Sequence, residues 1–384
     1  MTQNRPRRLV ILNQAANYLT IGFANAFNRE FDSVSLIAGS VHVQGAPLDD
    51  DIEVRKINRW HERPASKKAL SYGLGLLWMW WLLMTRYRRH EVLFVSVPPM
   101  AYLLNLVLPH RFSMVIWDVY PDSLKITGMA ERHPAYRVWA WLNRCSFRRA
   151  YRIFTISEPM ANMLSAYVDR SRLIVHPIWS IFKSNERIAA DQNPIVREHG
   201  LEAKFVVQYS GNIGLTHNVE AMIELAEQLQ DDEHIVFQII GRGPRKPLIE
   251  RLVRERDLKN VQMLPFQSDD MFPFSLSAAD LGVVILHDSV SRGSVPSKAY
   301  NLMSFGIPAL YIAAEDSELA RYARDFGSAA CFTADQLNEM ADFVRQLASD
   351  SAMNESMMAL AESAAGHFRL DNADRFVSSY LSES

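Results

Sequence analysis

The feature that most narrows the possible folds is a rhythm of short apolar runs. LVIL (9–12), VSLIA (34–38), VLFV (92–95), FVVQY (205–209), IVFQII (235–240) and LGVVIL (281–286) recur along the whole chain. Each is followed by a loop rich in Gly, Asn or Pro, and most then lead into a helical stretch. Strands buried on both faces read as continuous apolar runs rather than alternating ones. Their alternation with helices predicts parallel βαβ units and an α/β fold. At 384 residues the chain is too long for one simple core and suits two domains. The polar stretch SIFKSNERIAADQNPIVREHG, near residues 180–200, has few apolar positions in phase and reads as the linker. The tail from His367 to Leu381 reads as a last helix.

Bulk properties exclude several classes. The formal net charge is −2, so no global nucleic-acid signature is present. Cys145 and Cys331 are far apart and read as buried thiols, neither a disulfide framework nor a metal site. The 11 histidines lack metal spacing, and the acidic runs at Asp49–Asp51 and Asp269–Asp270 read as a solvated turn and a helix cap. MTQNRPRRLVIL reads as a first strand rather than a signal peptide. No run reaches the about 18 apolar residues of a membrane span.

Residues 66–90, SKKALSYGLGLLWMWWLLMTRYRRH, stand apart. An apolar stretch from Tyr72 to Met84 carries Trp78, Trp80 and Trp81. Lys67 and Lys68 flank it on one side, and Arg86, Arg88 and Arg89 on the other. Tryptophan favours the headgroup level and basic side chains favour anionic lipid, so the segment is expected to lie on a membrane surface.

Chemistry concentrates at strand ends. In SVSRGSVPSKAYNLMSFGIPAL (289–310), a loop with Arg292 feeds a helix, Pro296 is expected in its first turn, and Ser297 and Lys298 follow. Free N–H groups and the helix dipole at such a start favour a phosphate, and Lys298 adds a full charge. Gly211, Gly214, Gly241 and Gly243 follow successive strands, where small residues let backbone approach a ligand. Asp118, in VIWDVYPDSL, lies just past the end of another strand, the usual ligand edge of a parallel sheet. Asp122, four residues on, could be only a turn or cap residue.

Taken together, VSVPP, VIWDVYPDSL, HPIW, YSGNIG, IIGRGP, SAADLGVVIL and VPSKAYNLMSFGIPAL, in that order over most of the chain, resemble the family 4 retaining glycosyltransferases. The likeness is to the bacterial branch that builds O-antigen, capsule and exopolysaccharide. The resemblance implies the GT-B fold, with two Rossmann-like domains whose parallel sheets face each other across a cleft. It implies an acceptor-binding domain over 1–182, a nucleotide-sugar domain over 183–366, and a C-terminal helix, 367–384, crossing back to the first. Gly211, Asn212 and Gly214 would approach the donor diphosphate. Gly241, Arg242 and Gly243 would line the base region, and Ser297 and Lys298 would hold the pyrophosphate. Asp118 would face the reacting centre, and Arg292 would assist.

Two glutamates common in the family are absent here. Gly293 and Asn301 stand in their places, and Asn301 is expected to take over the ribose contact. No metal or other cofactor is implied. The expected acceptor is a polyprenyl-diphosphate-linked or other glycan, reached by an enzyme peripheral on the cytoplasmic face of the cell membrane. A nucleotide-sugar 2-epimerase on the same fold, or a non-catalytic partner subunit of a glycosyltransferase, are the competing readings.

Overall fold

The computed structural model describes residues 6–61, 65–182, 187–214 and 216–382. Residues 183–186 of the expected linker, and 1–5 of the expected N-terminal strand region, lie outside the described residues. The chain divides into two compact units: 1–181 together with 370–384, and 182–369.

The first unit is built on seven strands: β1 (Arg8–Leu12), β2 (Ser33–Ala38), β3 (Glu53–Lys56), β4 (Glu91–Val95), β5 (Phe112–Ile116), β6 (Ile153–Thr155) and β7 (Leu173–Val175). All pair in parallel, in the order β3-β2-β1-β4-β5-β6-β7. The apolar runs are buried as their composition requires: Leu9–Leu12 and Val92–Val95 are almost wholly inaccessible. Helix α1 (Tyr18–Asn28) starts earlier than the sequence suggested. By composition QAANYLTIG reads as a loop leading to the helix FANAFNREF, but the Asn17 side chain accepts from the N–H groups of Leu19 and Thr20 and caps the helix there.

Helix α2 (Ala65–Met84) follows β3. Its buried residues, Ser71, Gly75, Met79, Leu82 and Leu83, recur at helical spacing. Gln14 Nε2 holds the helix by donating to the Ser71 carbonyl at 2.8 Å. The stretch MAYLLNLVL after Pro98 and Pro99 reads from its apolarity as a helix, yet it forms only a 3₁₀ turn, Ala101–Leu106, because Tyr102 and Asn105 are drawn inward to partners on the next helix. That helix is α3 (Pro134–Arg149).

The second unit repeats the plan with β8 (Phe205–Asn212), β9 (Ile235–Arg242), β10 (Val261–Leu264), β11 (Leu281–Ile285), β12 (Ala309–Ile312) and β13 (Ala329–Phe332). Their order is β10-β9-β8-β11-β12-β13, again wholly parallel. Helix α4 (Glu220–Gln228) lays Met222, Ile223, Leu225 and Ala226 on this sheet. Helix α5 (Ser297–Ser304) packs its Leu302 against Gly282 of β11, where any larger residue would collide with it. In both units the order is that of a dinucleotide-binding fold. The strand order reverses beside the first strand, and the ligand crevice of such a fold opens at the carboxyl ends there.

The last helix, α6 (Asn372–Leu381), belongs to the first unit. Phe376 meets Phe23 edge-on at 4.8 Å, Tyr380 meets Phe27 at 5.2 Å, and the Tyr380 hydroxyl donates to Glu91 at 2.6 Å. Phe376 is fully buried, so Phe376→Ala should cost about 3–5 kcal/mol. Urea unfolding followed by circular dichroism would read this as a lower midpoint, and an unchanged midpoint would show that α6 does not hold the unit together.

Candidate active site

The site is best built from the backbone outward. At the carboxyl end of the second sheet, Gly211 and Asn212 of β8 lie in register with Gly241 and Arg242 of β9. A side chain on Gly241 would stand 2.0 Å from the Gly211 carbonyl oxygen, and one on Gly243 would stand 2.2 Å from that of Ile213. Gly243 also has a φ of +157°, and Gly211 one of +149°, which other residues rarely adopt. The glycines are therefore required because two loops cross at contact distance, leaving bare peptide at the point where the strand order reverses. Tyr209 pins the crossing by donating its hydroxyl to the Asn212 carbonyl at 2.7 Å.

Helix α5 points its first turn at this place. Pro296 was expected inside that turn. It stands one position earlier, as the cap residue, with extended backbone and no capping side chain. The turn thus begins at exposed Ser297, and no side chain caps its first amides. Lys298, the second residue, sends its ammonium inward. The nitrogen is buried, has no hydrogen-bond partner among the described residues, and sits 4.0 Å from the centre of the Tyr209 ring. A Cβ on Gly211 would be only 2.8 Å from it. Burial pushes the Lys298 pKa down to about 7. His217 shares the pocket. Burial first, and the Lys298 charge second, push its pKa down to about 3, so its ring stays neutral and meets the Thr216 hydroxyl at 2.9 Å.

The other candidates are distributed around this centre or away from it. Asn212 is exposed and Gly214 buried. Arg242 is exposed and lies 4.6 Å over the Phe266 ring. Asn301 is buried in α5. Arg292 is exposed and its Nε donates to Asp316 at 2.5 Å, so its charge is already partnered. Asp118 belongs to the first unit, two residues beyond β5. It is an exposed residue. Asp122 proves to be an anchor. Burial raises its pKa, but hydrogen bonds from Lys125, Tyr167 at 2.5 Å and Tyr136 at 2.7 Å outweigh that and hold it below the usual range. Tyr209 was not singled out by any pattern in the sequence, and His217 was notable only for lying in a loop. Cys145 and Cys331, expected to be buried, are free thiols and only half-buried. Asp269 and Asp270 do not cap the helix that follows, whose cap residue is Met271. Among the described residues no group of His, Cys, Asp or Glu could hold a metal ion, and no helix is long and apolar enough to cross a membrane.

Two parallel sheets of this strand order define the GT-B class. Solved structures share it: WaaG, a glycosyltransferase involved in lipopolysaccharide biosynthesis, superposes with a TM-score of 0.72 over 98% of this chain and 100% of its own, at 14% identity. Alr3699/HepE of Anabaena, in complex with UDP and glucose, gives 0.72 over 98% and 99%, also at 14% identity. The family model for glycosyl transferases group 1 matches residues 191–365. WcaI of Escherichia coli, named as a colanic acid biosynthesis glycosyl transferase, is 30% identical over 293 residues, 73% of this chain and 72% of its own. WbjE of Pseudomonas aeruginosa, named as a glycosyltransferase, is 25% identical over 279 residues, 69% of each chain. The chain belongs to the group 1 glycosyl transferases and is a sugar-transferring enzyme.

The lysine makes a prediction that needs no ligand. Its amine loses a proton near pH 7 in the folded protein and near pH 10.5 in the unfolded chain. Below pH 7 folding must bury a charge, and this penalty fades as pH rises from 7 to 10.5. Lys298→Met, which keeps an apolar stem, should therefore melt above wild type at pH 6, with the gap closing toward pH 10. A gap independent of pH in thermal melts would contradict the burial of a charged amine.

Proposed function

We propose that the enzyme transfers a sugar, with retention, from a nucleoside-diphosphate sugar to a lipid-linked saccharide in the assembly of a bacterial surface polysaccharide. The observation that carries the donor half is the buried Lys298 ammonium, without a hydrogen-bond partner among the described residues, beside bare Gly211 backbone and the mouth of α5. An anionic diphosphate is the complement such a site lacks. Bound there, it would be met by Lys298, by the amides of Ser297 and its neighbours, and by the peptides of Gly211, Asn212 and Gly214. Gly241, Arg242 and Gly243 would line the base, and Asn301 would lie toward the ribose. The names of WcaI and WaaG support a surface-polysaccharide acceptor.

In the reaction, the bond from the anomeric carbon to the diphosphate oxygen breaks and negative charge builds on that oxygen. The acceptor hydroxyl forms the new bond on the face being vacated, and its proton passes to the departing phosphate. Lys298 and the helix amides stabilise the developing charge in a site already arranged for it. Asp118 would orient the acceptor hydroxyl. Arg292, held by Asp316, would act only as part of the loop leading to α5.

Helix α2 supports a lipid-linked acceptor. Its outward face exposes Leu70, Leu77, Trp78, Trp80, Trp81 and Met84. A hollow of about 750 Å³ lined by Leu70, Leu74, Leu77, Trp80 and Leu104 runs along it. Lys67 at one end and Arg88 and Arg89 at the other stay exposed for lipid phosphates, while Arg86 is occupied by Glu53 at 2.9 Å.

Lys298→Ala should lower turnover about 10²–10³-fold, the effect of losing one charge-stabilising donor, at about 2.7–4 kcal/mol. The assay is product formation after a thermal-shift panel of UDP-, GDP-, dTDP- and CMP-sugars has identified a donor that raises the melting temperature. Normal turnover in a folded variant would remove this lysine from the mechanism.

A further inference from the structure

Helix α3 carries a surface that the transfer reaction does not use. Its sixteen residues contain Arg137, Arg144, Arg148 and Arg149 and no acid. One face, formed by Tyr136, Ala140, Asn143, Ser146 and Phe147, is buried. It is bolted to the 3₁₀ turn Ala101–Leu106: the Tyr102 hydroxyl donates to Asn143 at 2.7 Å, Asn105 donates to the Ser146 carbonyl at 2.9 Å, and Trp139 Nε1 donates to the Tyr102 hydroxyl at 2.9 Å. The opposite face is Arg137, Val138, Trp141, Arg144 and Arg148, all exposed, with Trp141 at 60% and Val138 at 58%. A hollow of about 670 Å³ lies along it. The acid at its rim, Glu131, is paired with Lys125 at 2.7 Å.

Single exposed apolar residues are ordinary. Here a tryptophan and a valine lie between arginines on one side of an acid-free helix, and α2, also free of acids, exposes tryptophans as well. The two helices also share a support, since Leu104 of the 3₁₀ turn lines the hollow on α2. Tyr120, in the Asp118 segment, is tied to α3 by stacking on Trp139 at 5.6 Å.

We infer that the exposed face of α3 is a second footing of the enzyme on an anionic lipid bilayer. Val138 and Trp141 enter the headgroup boundary, and Arg137, Arg144 and Arg148 meet lipid phosphates. Charge complementarity selects this occupant: the face offers donors and positive charge, and among the described residues the acid at its rim, Glu131, is already paired with Lys125. The inference rests on the membrane reading of α2 and extends it. One helix would fix the enzyme to the surface, and two would fix its orientation, with the Asp118 segment tied to α3.

The test uses the full chain in flotation on vesicles of phosphatidylcholine with 30% phosphatidylglycerol, about the anionic content that attracts basic segments. Each basic residue near such a surface accounts for about fivefold in affinity, so Arg137→Gln with Arg144→Gln should weaken binding about 25-fold. Adding Trp141→Ser should weaken it further, with the melting curve unchanged because these side chains are exposed. A second variant, Trp80→Ser with Trp81→Ser in α2, should retain weakened, salt-sensitive binding through α3. If the α3 variant floats like wild type while the α2 variant does not, α3 faces water and only this inference fails. If wild type does not float, both membrane readings fail. Unchanged flotation of the α3 variant with loss of transfer to a soluble glycan, or with conversion of a dimer to a monomer, would give the face to a glycan or a second copy and overturn the inference.

Discussion

A charged amine buried without a partner is costly, and a folded protein keeps one only where something else is met there. Lys298 is such a group. Its nitrogen is closed off from water, it faces an aromatic ring, and among the described residues no acid or carbonyl accepts from it. The rest of the second unit can be read as the means of holding that nitrogen in place. Helix α5 carries it, Leu302 locks α5 onto β11 over Gly282, and Tyr209 supplies the floor. His217, kept neutral by burial, fills the side without repelling it.

The strand order explains why this happens where it does. In a doubly wound sheet, helices leave in opposite directions from the two strands flanking the reversal, so a crevice opens between their loops. Here β8 and β11 flank the reversal. The loop after β8 supplies bare peptide, and the segment after β11 supplies the helix mouth and the lysine. The proposed anion site needs both. The close crossing of Gly211 with Gly241, and of Ile213 with Gly243, lets the backbone be used as a binding surface. The first unit has the same reversal between β1 and β4, but its chemistry differs: Asp118 leaves from β5, and its loop is stiffened by Asp122, Tyr136 and Tyr167.

Much of this was legible in the residues. Continuous apolar runs mark strands covered on both faces, and their spacing gave the parallel α/β class. Lys298 stood out because a lysine in the first turn of a proline-led helix suits an anion, although the same pattern fits an ordinary helix with a surface lysine. The features that escaped depend on partners distant in the chain. Asn17 is the exception: it caps through the N–H groups of Leu19 and Thr20, two and three residues on, a local signal that the residues did carry. AYLLNLVL has the apolarity of a helix, and its 3₁₀ form is decided by hydrogen bonds to α3. Pro296 fits a first turn or a cap equally well. Asp122 looked like a turn residue because tyrosines 14 and 45 positions away are invisible to local pattern. The burial of Lys298, which turns a surface charge into a site, is likewise a property of the packed sheet.

The most direct measurement is calorimetric titration of wild type at pH 8 with UDP, GDP or dTDP, whichever raises the melting temperature, in buffers of different ionisation enthalpy. With a pKa of about 7 the free lysine is largely neutral at that pH, and a bound diphosphate would draw it back to the charged form. The account predicts that binding takes up a proton, and that this uptake disappears in Lys298→Met. A binding enthalpy identical in every buffer, or uptake that survives the substitution, would contradict it.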